Sequence, residues 1–90
     1  MSEKKNNTMK MTEMEEKVKE IMSIVFNISE NDIGELTSPD TVEGWDSLRH
    51  MSLVQALEEE FEVQFTDEQI PEMLSYTLIL DILKPLLIKD

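Results

Sequence analysis

The segment Gly44-Trp45-Asp46-Ser47-Leu48 puts a serine hydroxyl where a long polar stretch runs into an amphipathic one. Helix N-termini carry unpaired N–H groups and a partial positive charge. A phosphate esterified to Ser47 is well placed there. Leu48 and Met51 give an apolar grip beside it, and Glu58, Glu59 and Glu60 an anionic rail further along. A Ser47–His50 nucleophile pair is a poorer reading. It needs a third residue to orient the imidazole and an oxyanion hole, and neither is evident. A calcium loop also fails. With Gly44 at the turn position, Pro39 and His50 fall at the first and twelfth ligand positions, and neither suits. No metal site is expected: there is no Cys and one His.

The elements that must position Ser47 are helical. Residues 1–11 are polar and aperiodic and are expected to be a disordered lead-in to one domain spanning 12–90. Thr12 with Glu15 has the spacing of a capping box. Met14, Val18, Ile21, Met22, Val25 and Ile28 then recur at helical spacing, which predicts a helix over 12–28. Residues 29–45 hold both glycines, a proline and many small polar residues, which predicts one long loop. Ile33, Leu36, Val42 and Trp45 are expected to pin it to the core. A second helix runs from Asp46-Ser47 through Glu60, capped by one of those two residues. At about 100° per residue, His50, Leu53, Val54, Leu57 and Phe61 share a core stripe, and Leu48 and Met51 fall nearly opposite. His50 therefore reads as a packed histidine. Thr66 with Gln69 suggests another capping box, for a short helix limited by Pro71, with Ile70 and Met73 facing inward. A last helix follows Ser75, with Tyr76, Ile79, Leu80, Leu83 and Leu87 inward and Pro85 kinking or fraying its end. The expectation is a small all-α four-helix bundle: three main helices, one short one and a long first loop.

Composition excludes several functions. Twenty acidic residues face eight basic ones, a formal net charge of −12. Residues 12–90 keep 19 of the acids and 5 of the bases, a net charge of −14. Nucleic acid and anionic membrane both need a basic surface, so neither is an expected partner. No apolar run reaches membrane-spanning length, so a soluble cytoplasmic protein is the default expectation. Nothing demands more than a monomer.

The stretch GWDSLRHMSLVQALEEEFEVQF resembles the acyl carrier proteins and the carrier domains of peptide and polyketide synthesis. Their signature is Asp-Ser-Leu followed by an amphipathic helix ending in acidic residues and an aromatic one. Asp46, Ser47 and Leu48 match it, and so do Leu53, Val54, Leu57, Glu58, Glu59 and Phe61. The likeness covers about residues 12–88. It implies that Ser47 receives 4′-phosphopantetheine from coenzyme A through a separate phosphopantetheinyl transferase and Mg²⁺. The thiol of that arm then holds an acyl or aminoacyl group as a thioester, for acyl-activating, acyltransferase or synthase enzymes. It further implies that Asp46 lies beside the arm and the transferase's metal, and that Leu48 touches partner enzymes. In some members acyl chains fold between the helices, where Val54, Leu57, Phe61 and Ile70 would line the pocket. Arg49 and Ser52 stand where fatty-acid carriers usually have acids, Glu62 where the family often has Gly, and Trp45 where smaller residues are common. Gly-Trp-Asp-Ser-Leu looks more like stand-alone carriers of specialised pathways. The alternative is an acidic helical interaction module that is never covalently modified.

Overall fold

The computed structural model describes residues 10–88, and among them there are three α-helices, two short 3₁₀ turns and no strand. Helix α1 spans Met11–Phe26, α2 Ser47–Phe61 and α3 Tyr76–Leu87. One 3₁₀ turn, Glu30–Asp32, lies in the long loop, and the other, Ile70–Glu72, stands where the short helix was expected. The expected Thr66–Gln69 box forms. Gln69 N donates to Thr66 Oγ1 at 3.1 Å, and Thr66 N to Gln69 Oε1 at 3.0 Å. It closes a turn rather than an α-helix.

Helix α1 begins one residue earlier than expected and ends two earlier. Its N-cap is Lys10, whose amide donates to Glu13 Oε1 at 3.2 Å. Thr12 therefore lies within the first turn, not at the cap. Met11 belongs to the helix, and residues 1–9 of the expected lead-in lie outside the described residues. At the far end Asn27 turns left-handed (φ 58°) and its amide bonds Ser23 O. Asparagine tolerates that conformation better than most residues. The buried stripe is Met14, Val18, Ile21, Met22 and Phe26. Phe26 is one turn on from Met22, while Val25 and Ile28 are only half-buried.

The stripe of α2 is as expected, with His50, Leu53, Val54, Leu57 and Phe61 buried. Each large aliphatic side chain so buried contributes roughly 1.5–3 kcal/mol. Lys17 Nζ of α1 lies 3.2 Å from Glu60 Oε2 of α2, the one ion pair among the described residues. Ser75 caps α3, accepting from Leu78 N at 3.0 Å. Pro85 does not end α3, which continues to Leu87, and Ile88 N still reaches Lys84 O at 2.8 Å. A proline this late removes a single helical hydrogen bond.

In the long loop Ile33, Val42 and Trp45 are buried as expected, but Leu36 is 84 % exposed. Thr37 is buried instead. Its Oγ1 accepts from Gly34 N at 2.8 Å, and its carbonyl accepts from Tyr76 N at 3.1 Å. A buried loop must satisfy its polar backbone, and Thr37 does this while tying the loop to the start of α3.

Candidate functional site

Ser47 is the first residue of α2 and is exposed. Asp46 caps that helix, with its Oδ1 accepting from Arg49 N at 2.8 Å and its carbonyl from His50 N at 2.8 Å. The Ser47 and Leu48 amides have no acceptor among the described residues. Two unpaired N–H groups and an exposed hydroxyl thus meet at the positive end of a 15-residue helix. That donor set suits a phosphate ester on Ser47.

A surface groove of about 580 Å³ opens beside the hydroxyl. Trp45, Met51, Ile70, Pro71 and Leu74 give it an apolar lining, with Pro39, Asp46, Ser47 and His50 completing it. Its interior polar groups satisfy one another. Trp45 Nε1 donates to His50 Nδ1 at 3.0 Å, and His50 Nε2 lies 2.8 Å from Ile70 O. The Trp45 ring also meets Phe26 of α1, centroids 4.8 Å apart.

Over residues 16–81 the chain matches the family whose description is "Phosphopantetheine attachment site". It belongs to that family of carrier proteins. The carrier takes 4′-phosphopantetheine as a covalent prosthetic group and is not itself a catalyst. Family members work with phosphopantetheinyl transferases and biosynthetic enzymes. Among the described residues of the carrier, no helix is long and apolar enough to cross a membrane.

The residues singled out in the sequence are distributed unevenly. Asp46, Ser47, Met51 and Ile70 gather at the groove, with Leu48 (78 % exposed) beside it. Val54, Leu57 and Phe61 lie further along the α2 stripe, inside a closed core. Glu59 is exposed, whereas Glu58 is half-buried and its Oε2 accepts from Phe65 N at 2.9 Å. The Arg49 guanidinium folds back over Gly44, where a Cβ would stand 2.7 Å from one of its nitrogens.

The groove contains residues that periodicity did not assign to a site: Pro39, Pro71, Leu74 and the bonded pair Trp45–His50. The pair had a partial signal, since a tryptophan just before a helix and a histidine on its core stripe are both polar-tipped groups that need partners when buried.

Proposed function

We propose that Ser47 is the attachment point of 4′-phosphopantetheine and that this chain is an acyl carrier. The observation that carries this reading is the exposed Ser47 hydroxyl at the start of α2, beside two unpaired amides and the apolar groove. Ser47 Oγ would form the new ester bond to phosphorus as the pyrophosphate linkage of coenzyme A breaks, adenosine 3′,5′-bisphosphate would leave, and the serine proton would pass to a base of the transferase or to water. The Ser47 and Leu48 amides would then face the phosphodiester charge. Asp46 caps α2 through its Oδ1, and its carboxylate would help to hold the Mg²⁺ that the transferase brings. When bound, the arm supplies a thiol that carries an acyl group as a thioester, chemistry a chain without Cys cannot supply itself.

Leu48 and Met51 supply the apolar contact for partner enzymes, and Glu58 and Glu59 the negative charge that suits a basic partner face. The apolar lining of the groove, Trp45, Met51, Ile70, Pro71 and Leu74, suits an apolar acyl cargo. Ile70 is the member of the acyl-pocket set that lines the groove. Val54, Leu57 and Phe61 are buried in the core, so an acyl chain entering past Ile70 would have to part that core to reach them. Loading with an acyl group should therefore move the Val54 and Leu57 amide shifts, and unchanged shifts would argue against that pocket.

The deciding experiment is intact mass before and after incubation with coenzyme A, Mg²⁺ and a broad-specificity phosphopantetheinyl transferase. The expected result is a gain of one phosphopantetheine in the parent and none in Ser47→Ala. No gain in folded, unmodified parent would overturn the assignment.

A further inference from the structure

His50 is buried, yet both of its ring nitrogens face protein partners. The indole N–H of Trp45 can only donate and the carbonyl of Ile70 can only accept. The imidazole is therefore held as the neutral tautomer with its proton on Nε2. Its two partners come from separate segments that line the groove beside Ser47. Trp45 ends the long loop, and Ile70 opens the second 3₁₀ turn, 20 residues beyond His50 in sequence. Trp45 in turn rests on Phe26, so the chain of contacts runs from α1 through the loop end and α2 to the turn at 70–72. His50 lies one helical turn from Ser47, between the two groove segments.

We propose that His50 is a positioning residue for Ser47. It fixes the separation of the two segments that flank the groove, and so sets the shape presented beside the attachment serine. This rests on the reading of Ser47 as the attachment point. The role belongs to both bonds together: either one alone leaves one side of the groove untied.

Three variants separate the two bonds. His50→Asn keeps an acceptor near the Nδ1 position, His50→Gln keeps a donor near the Nε2 position, and His50→Phe keeps neither. The Trp45 indole N–H is expected to exchange with deuterated water about tenfold faster in the Gln and Phe variants, and near the parent rate in the Asn variant. The Met73 amide, which bonds Ile70 O at 3.2 Å, is expected to quicken in the Asn and Phe variants and not in Gln. In all three, kcat/KM for phosphopantetheine transfer is expected to fall about tenfold, as for other misplacements of a reacting group. The α1 and α3 amides should keep their parent exchange rates, which a merely structural loss would not allow. If His50→Phe does not fold, the Asn and Gln variants decide, since each retains one bond. Parent-like exchange at both sites, or transfer within twofold of the parent in every variant, would overturn the proposal. A parent that accepts no phosphopantetheine would instead overturn the Ser47 reading, and with it this role, whatever the exchange pattern.

Discussion

Glu62 closes α2 in the left-handed region, at φ 54°. That conformation costs a residue with a Cβ roughly 1–2 kcal/mol, and glycine almost nothing. The geometry is imposed by the cap: the amides of Glu62 and Val63 both reach back to Glu58 O. Glu62→Gly is therefore expected to raise the urea midpoint, with a gain of about 0.5–1 kcal/mol once the extra freedom of an unfolded glycine is deducted. Asn27 ends α1 in the same way, and since asparagine tolerates the conformation, Asn27→Gly should gain less. A midpoint for Glu62→Gly at or below that of the parent would show that no such strain exists. The sequence makes position 62 conspicuous only through the family's preference for glycine there. His50 is legible in the same limited way. Helical spacing puts it on the core stripe, but one of its partners is a backbone carbonyl twenty residues away, and no local pattern carries that information. Leu36 shows the opposite failure. An apolar side chain in a loop suggests an anchor, yet the loop's backbone needed a hydroxyl inside, and Thr37 took the place.

Helices were legible as elements because each carries a run of apolar residues at 3.6-residue spacing. Their ends were less so. Thr12–Glu15 and Lys10–Glu13 are overlapping spacings, and the half-buried Met11 draws the helix start toward the second. The start of α3 was clearer: the helix follows Ser75 as expected, and the structure shows that Ser75 also caps it. That start also carries a pH dependence. Burial, helped by the charge of Glu15, pushes the Tyr76 phenol from its ordinary 10.0 up to about 12. Lys19 Nζ lies 5.7 Å from the ring centroid, against the ring's face. The folded state therefore holds the phenolic proton over a range in which the unfolded state has released it. This contribution is complete below pH 10 and is lost as pH rises from 10.0 toward about 12. Lys17, raised by its hydrogen bond and attraction to Glu60, acts in the same direction. Tyr76 is the only tyrosine in the chain, so its ultraviolet difference spectrum reports one group. The spectrum should titrate late in the native protein and near pH 10 in urea. Tyr76→Phe should flatten much of the alkaline fall in stability and leave the Lys17 part. A native titration at the ordinary value would mean that the ring is not buried in solution.

The whole molecule is an acidic surface around one apolar core, with a net charge of −12. Among the described residues a single ion pair, Lys17–Glu60, offsets any of that repulsion, and both of its side chains are largely exposed. Exposed pairs of this kind contribute little, so self-repulsion should dominate the electrostatics of folding. The same charge is what a basic transferase would read, and attraction between unlike surfaces is weakened by salt. One variable therefore has opposite effects on two readouts. Raising NaCl from about 0.01 M to about 0.15 M shortens the screening length from about 30 Å to about 8 Å. The urea midpoint should rise over that range, while kcat/KM for modification of Ser47 should fall, mainly through KM. Adding neutral sucrose in place of salt should raise the midpoint without the loss in KM, because it strengthens burial and leaves charge unscreened. If salt lowered both quantities, attractive pairs would outweigh repulsion within the fold. If salt left KM unchanged, docking would rest on Leu48 and Met51 alone, and the acid-rich end of α2 would be a solvated face with no part in recognition.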